Sequence, residues 1–78
     1  MKFEIIDQIA VISRRGTWSL ELNVVKWGEH EPKYDIRTWN DDHSKCSRGI
    51  TLNEDEARTL MIAIKDMLKE GRGSGGEE

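Results

Sequence analysis

The chain has little of several things, and each shortage excludes a class of protein. Cys46 is the only cysteine among 78 residues, so an internal disulfide is impossible and a reducing compartment is expected. No segment approaches the ~20 consecutive apolar residues that a membrane-spanning helix needs. Met1-Lys2 leads straight into alternating residues instead of a signal peptide. The sequence therefore predicts one small cytoplasmic protein with no membrane contact.

The chain is also poor in the side chains that build metal and catalytic centres. His43 and Cys46 have H-x-x-C spacing, but a structural zinc ion usually takes four Cys or His ligands, and only His30 remains. These three residues lie in polar loops, and the sequence implies no group that would orient them for catalysis. We expect no metal, no cofactor and no enzymatic activity.

The net charge of −3 argues at first sight against a polyanionic partner. Residues 1–52 hold eight Lys or Arg and eight Asp or Glu, which sum to zero, so the acidic excess lies in residues 53–78. Binding depends on the local field of one face more than on the total charge. A nucleic-acid partner remains compatible with this charge, with modest affinity that falls steeply with salt.

Four stretches have the composition and alternation of β-strands, and the segments between them are polar. Arg14–Thr17 is predicted to be a turn because Gly16 can adopt positive φ. Residues 28–32 and 40–48 are predicted to be loops. The predicted strands are Phe3–Ser13 with an irregularity near Asp7-Gln8, Trp18–Trp27, Lys33–Trp39 and a short Gly49–Leu52.

The second predicted strand leaves its buried face open to two interpretations. Alternation favours the even positions as the buried set, while two large apolar side chains among the odd positions favour the opposite face. The even positions carry Trp18, Leu20, Leu22 and Val24, and the odd ones carry Ser19, Glu21, Asn23, Val25 and Trp27.

One helix is predicted after the strands. Asn53 and Glu56 have the N-x-x-E spacing of a capping box, and Gly71 is expected to end the helix before a flexible, Gly-rich acidic tail over 71–78. Residues 1–70 then form the domain. An apolar stripe runs along the helix, and a thin sheet is not expected to cover all of it, so we predict a homodimer packed through the helices. A monomer with an ordinary amphipathic helix is the alternative. The predicted dimer contacts are Leu60, Met61, Ile64, Met67 and Leu68.

The third predicted strand combines cations with an indole on one face. Lys33, Asp35, Arg37 and Trp39 alternate with Tyr34, Ile36 and Thr38. If the first face is open, Lys33 and Arg37 can hold phosphates while Trp39 stacks on a base. This prediction requires an exposed Trp39 indole and an Arg37 side chain that is not committed to a carboxylate. The alternatives are that Trp39 fills a core and that Arg37 pairs with Asp35, or with Glu21 across the ladder.

Other candidates for nucleic-acid contact are aromatic or basic residues near this strand in the sequence. Each has an ordinary alternative as a packed aromatic or a solvated cation. These candidates are Trp18, Trp27, Lys26, Arg14, Arg15, Lys45 and Arg48.

Five segments in fixed order resemble the positive cofactor four family of transcriptional coactivators, and in particular its bacterial, YdbC-like branch. The resemblance covers about residues 3–69, and the run EPKYDIRTW is its most specific part. The matching segments are Phe3–Ile6, Glu21–Asn23, Trp27, Glu31–Trp39 and Gly49–Leu52.

The resemblance implies an α+β fold, with a four-stranded antiparallel sheet followed by one C-terminal helix and two chains paired through their helices. It also implies that the sheets bind single-stranded DNA. Arg37 matches the family's strand arginine, Trp39 its stacking aromatic, and Lys33 fits the basic rim. The loop carries Asp41 and Asp42, for which Lys45 and Arg48 can compensate.

Two functions from different classes follow from the sequence. The first is a homodimer that binds single-stranded DNA with little sequence preference, in transcription regulation, replication or repair, with RNA left open as the ligand. The second is a small dimeric module that docks a protein partner on its Trp-bearing sheet.

Overall fold

The computed structural model describes residues 2–70 and confirms the predicted β-β-β-β-α order. Arg14 and Arg15 continue the first strand instead of forming a turn, and Gly49 lies just before the fourth strand. The predicted helix end at Gly71 and the tail 71–78 lie outside the described residues. The elements are β1 (Phe3–Arg15), β2 (Trp18–Trp27), β3 (Lys33–Trp39), β4 (Ile50–Leu52) and α1 (Glu54–Glu70).

The four strands form one antiparallel sheet in the order β1-β2-β3-β4. Gly16 and Gly28 have φ values of 61° and 54°, in the left-handed region that glycine adopts without steric cost. These glycines lie at the β1–β2 and β2–β3 connections, so each strand returns directly beside its predecessor.

β1 is an irregular edge strand. Its pairing with β2 shifts register between Ile5 and Asp7, between Gln8 and Ala10, and again between Val11 and Ser13. The first shift confirms the irregularity predicted near Asp7-Gln8. Irregularities of this kind bend a strand and increase its twist, so β1 is not a straight edge. The residues that the ladder skips are Ile6, Ile9 and Ile12, and all three are exposed.

α1 begins with the predicted capping box. The Asn53 backbone N–H donates to Glu56 Oε1, and the Glu56 N–H donates to Asn53 Oδ1, both at 2.8 Å. The helix packs against β3 and β4. It does not combine the length and apolar character that a bilayer crossing would require.

The most buried face of the sheet is the odd face of β2, so the face favoured by alternation is wrong. Residues 20, 22 and 24 are only half-buried in one chain, and Trp18 is 39% exposed. The odd face is buried because this side of the sheet curls inwards. Trp39 pairs with Ser19 at one end of β2, and Trp27 lies at the other end, beyond the Val25–Lys33 pair. Their ring centroids are nevertheless only 6.2 Å apart, which requires the two ends of this face to bend towards each other. The buried odd positions of β2 are Ser19, Glu21, Asn23 and Val25.

Candidate nucleic-acid interface

Asp35 lies between Lys33 and Arg37 on the curled face, which is the face of the sheet that carries the odd residues of β2 and β3. Its side chain is fully buried in the middle of β3, opposite Asn23 on β2 and Thr51 on β4. Oδ1 accepts a hydrogen bond from Arg37 Nε at 2.7 Å, and Oδ2 accepts one from Trp27 Nε1 at 3.0 Å. One carboxylate therefore holds both an arginine and an indole.

Arg37 lies over the Trp27 ring as a consequence of this pairing. Its guanidinium carbon is 4.4 Å from the ring centroid, within the range of a cation–π interaction. Burial alone would lower the pKa of Arg37, but the hydrogen bond and charge of Asp35, with a further contribution from Cys46, outweigh it and raise that pKa. The cation is permanent at any physiological pH.

Lys33 and Arg37 share a groove with the half-buried Trp27, which we call the Trp27 groove. The groove has a volume of about 370 Å³ and lies on the curled face of the sheet. Lys33, at the start of β3, is exposed, and the groove opens to solvent beside it. The lining residues are Trp27, His30, Glu31, Lys33, Arg37 and Thr51.

The expectation of an open stacking surface at Trp39 is wrong. Trp39 is 0% exposed, because its ring packs 5.2 Å from Phe3, 6.2 Å from Trp27 and 5.4 Å from His43. Among residues 2–70, its Nε1 has no hydrogen-bond partner, so the indole is held by ring packing. The alternative that Trp39 fills a core is confirmed. The alternative that Arg37 pairs with Asp35 is likewise confirmed, so the expectation of an uncommitted Arg37 is wrong as well. The bond to Asp35 uses Nε, and the Arg37 side chain is 14% exposed.

Glu21 is the centre of a second buried polar cluster on the same face. Ser19 Oγ donates to Oε2 at 2.5 Å, and Asn23 Nδ2 donates to Oε1 at 3.1 Å. His43, which has a φ of 59°, reaches from the loop after β3 and places Nε2 at 2.9 and 3.1 Å from the two oxygens. Desolvation would raise the pKa of Glu21, but these hydrogen bonds and the charge of His43 lower it. The cluster anchors the loop to the sheet.

The loop 40–48 is also fixed by its own hydrogen bonds. Asn40 Oδ1 accepts from the Lys45 N–H at 2.9 Å, and Asp42 Oδ1 accepts from the Ser44 N–H at 3.0 Å. Hydrogen bonds from the Ser44 side chain and backbone lower the pKa of Asp42, which stays ionised. The loop thus closes on itself beside Trp39, which pairs with Cys46.

The other predicted contact residues do not line the Trp27 groove. Residues opposite each other in an antiparallel ladder share a face. Trp18 opposes Arg15 and Lys26 opposes Glu4, so these side chains lie on the face that the odd residues of β2 do not occupy. Arg14 opposes Ser19 and lines a separate groove that contains the Glu21 cluster. Lys45 and Arg48 are exposed in the loop before β4.

Several residues at the groove were missed by sequence reasoning. The sequence indicates Asp35 only as a partner of Arg37, and its second hydrogen bond depends on a tryptophan in another strand. Phe3, 36% exposed, packs 5.4 Å from Trp27 and extends the aromatic surface. Gly49 has no room for a side chain, since a Cβ there would collide with Arg37 Cβ and the Ile36 carbonyl oxygen. The D-x-R spacing at residues 35–37 was the one local signal of this arrangement.

A metal site does not emerge from the part of the chain that the structure describes. Among residues 2–70, no three His, Cys, Asp or Glu side chains are grouped so that they could hold an ion. His43 instead binds Glu21, as described above.

The fold and the groove define a class: small ββββα proteins that carry an aromatic and cationic groove on a curled antiparallel sheet. The family description "Transcriptional Coactivator p15 (PC4)" matches residues 15–63, and the chain belongs to that family. An uncharacterised protein of Treponema pallidum (strain Nichols) is 37% identical over 67 residues, which cover 85% of this chain and 74% of that protein.

Proposed function

We propose that this protein binds single-stranded DNA as a homodimer, with little sequence preference. The observation that carries the proposal is the Trp27 groove, where an arginine is held over a half-buried indole with Lys33 beside it. Membership of the PC4 family supports DNA binding and a coactivator-like role. Of the aromatic residues predicted to contact bases, Trp39 is buried, so the proposal uses the exposed part of Trp27, which was also among the candidates.

The groove suits a strand whose bases are unpaired. Lys33 and the outward N–H groups of Arg37 can bind phosphates, and the exposed parts of Trp27 and Phe3 give bases an apolar surface. None of these contacts reads the edge of a base, so little sequence preference follows. The groove also contains the carboxylate of Glu31. Two cations offset by this acid predict modest affinity.

Apolar surface left uncovered in one chain supports the homodimer. Leu60 is 37% exposed, Met61 58% and Ile64 50%, although all three are apolar. The space between α1 and the sheet contains an apolar cavity of about 450 Å³, so the helix does not close the core by itself. A second copy of α1 would cover this stripe, and a symmetric contact would bury the same residues of both chains. Met67 and Leu68 extend the proposed contact.

The proposed binding chemistry is compatible with more than one cellular process and more than one kind of strand. Binding of exposed strands is compatible with transcription regulation, replication or repair in the cytoplasm. The same groove accepts RNA in principle, because phosphate and stacking contacts do not require the absence of a 2′-hydroxyl.

The test is the salt dependence of binding to a fluorescently labelled oligo-dT, followed by anisotropy. If the dimer neutralises about two to four phosphates, log affinity should fall against log salt with a slope of about −1.4 to −2.8. Replacing Arg37 with Ala should reduce the magnitude of that slope by about 0.7 for each phosphate that the variant no longer neutralises. Arg58→Ala, on the helix, serves as the charge-matched control.

Measurements with other oligonucleotides distinguish among single-stranded DNA, duplex DNA and RNA as ligands. A duplex of the same length should compete poorly, and an oligo-rU in place of oligo-dT measures the preference for DNA over RNA. Absence of binding to both single strands would contradict the proposal. A sheet that docks a protein partner would show neither the salt slope nor the weaker slope of the Arg37 variant.

A further inference from the structure

Among residues 2–70, Asp35 is the carboxylate that hydrogen-bonds both the cation and the indole of the Trp27 groove. It is completely buried, so it cannot itself meet a ligand. Both of its oxygens are used, one by Arg37 Nε at 2.7 Å and the other by Trp27 Nε1 at 3.0 Å. A carboxylate that only balanced the charge of Arg37 would not need the second bond.

The two hydrogen bonds of Asp35 determine the orientation of the Arg37 guanidinium. Nε and Nη2 share one edge of the planar guanidinium, so the bond from Nε to Asp35 turns the opposite edge, with Nη1, away from the carboxylate. Nη1 makes a long 3.4 Å contact with the Ser47 carbonyl oxygen, which leaves N–H groups available to a phosphate. Gly49 packs against the Arg37 side chain from the β4 side, where a Cβ would not fit. The guanidinium is thereby confined between the Trp27 ring and the start of β4.

We infer that Asp35 is a positioning residue for nucleic-acid binding, acting through Arg37 and Trp27. It orients the guanidinium over the indole before the ligand arrives, so that neither side chain has to be ordered during binding. This inference rests on the proposed function of the groove. It identifies a negatively charged residue as a requirement for binding a polyanion.

The direction in which one substitution changes the affinity for oligo-dT distinguishes positioning from simple electrostatics. Asp35→Asn removes a negative charge beside the groove, and by Coulomb's law alone this change should strengthen binding of an anion. Positioning predicts the opposite, because asparagine replaces one of the two acceptor oxygens with an NH2 group, which would face the N–H donor of either Arg37 or Trp27. Glu31→Gln is the matched control: it removes the same charge from the exposed rim of the same groove.

The experiment measures oligo-dT affinity of the wild type and both variants at one low salt concentration, after circular dichroism confirms that they are folded. We expect Asp35→Asn to weaken binding at least about tenfold and Glu31→Gln to tighten it, because Glu31 offsets the two cations of the groove. Equal or tighter binding by Asp35→Asn would overturn the inference while leaving the proposed function intact. Failure of the wild type to bind would instead overturn the proposed function, and the inference with it.

A measurement on the wild type covers the case in which Asp35→Asn does not fold. In nuclear magnetic resonance spectra, the Arg37 Nε–H and the Trp27 indole N–H should exchange slowly with solvent, both free and bound to oligo-dT, because both stay on Asp35. Signals from the terminal N–H groups of Arg37 should move on binding. Release of Arg37 Nε–H into fast exchange in the complex would contradict a positioning role.

Discussion

Arg37 stacks on Trp27, with its guanidinium carbon 4.4 Å from the centroid of the indole, although the two residues belong to different strands. The contact joins a permanent charge to an apolar surface at one place. A polynucleotide without a complementary strand offers the matching pair of features, a phosphate and the face of a base. The relationship therefore explains why this groove is the proposed site, even though Trp39 is buried.

Trp27→Ala should weaken oligo-dT binding by about 1–3 kcal/mol, because it removes part of the apolar surface offered to a base and the ring on which the Arg37 guanidinium lies. The salt slope should stay nearly unchanged, since no charge is removed. Trp27→Phe keeps a ring and should retain part of the affinity. Fluorescence anisotropy at several salt concentrations measures both quantities, and an unchanged affinity in Trp27→Ala would exclude the residue from the site.

Trp39→Ala should destabilise the fold by about 3–5 kcal/mol, the usual cost of removing a buried aromatic side chain. Trp39→Phe should cost less, because it also removes an indole N–H that has no hydrogen-bond partner in the described part of the chain. Urea denaturation measures both changes. If Trp39→Ala were as stable as the wild type and instead lost affinity for oligo-dT, the assignment of Trp39 to the core would be contradicted.

Ile64→Asp should convert the dimer to a monomer, because a charge would be placed within the apolar stripe of α1. Ile64 is 50% exposed in one chain, so the substitution costs the isolated monomer little. Sedimentation velocity over a range of protein concentrations measures the change. Asp66→Asn, on the same helix but outside the stripe, should sediment like the wild type, and a monomeric wild type would contradict the homodimer.

The Glu21 cluster should make stability depend on pH with a definite sign. The pKa of Glu21 is lower in the folded chain than its ordinary value of 4.5, so the unfolded chain binds the proton more tightly. The contribution of Glu21 is therefore present above pH 4.5 and is lost as the pH falls through the lower, folded value. Glu21→Gln should be less stable than the wild type near neutral pH, by about 1–3 kcal/mol.

That stability difference should narrow in acid, which urea denaturation at pH 7 and at about pH 3 can measure. Glu29→Gln, in the exposed β2–β3 loop, controls for loss of a carboxylate outside the cluster. A difference between Glu21→Gln and the wild type that is independent of pH would show that the carboxylate does not act through its charge.

Local signals in the sequence predicted the elements well, since a capping box or an alternating strand depends on residues that are close along the chain. Asn53 and Glu56 form the predicted reciprocal bonds, and β3 has the predicted bounds. The α1 stripe is apolar and exposed as expected. The antiparallel order of the four strands was implied by the family resemblance, and the short connections at Gly16 and Gly28 give it a local cause for β1 to β3.

Which face of β2 is buried, and where the candidate site lies, depend on contacts between residues that are distant along the chain. Alternation within one strand cannot show such contacts. Ser19, Glu21 and Asn23 look like a solvent face, but they can be buried because they hydrogen-bond one another and His43 supplies a further contact from a loop. Trp39 looks like a surface indole until the curl of the sheet brings it to Phe3 and Trp27.

The most direct test follows the three indole N–H signals in nuclear magnetic resonance spectra of the wild type during titration with oligo-dT. The signal of Trp27 should shift progressively with the ligand, that of the buried Trp39 should move far less, and a duplex of equal length should produce little change. An unmoved Trp27 signal under conditions where the oligonucleotide is bound, or equal shifts with the duplex, would contradict binding of an unpaired strand in the Trp27 groove.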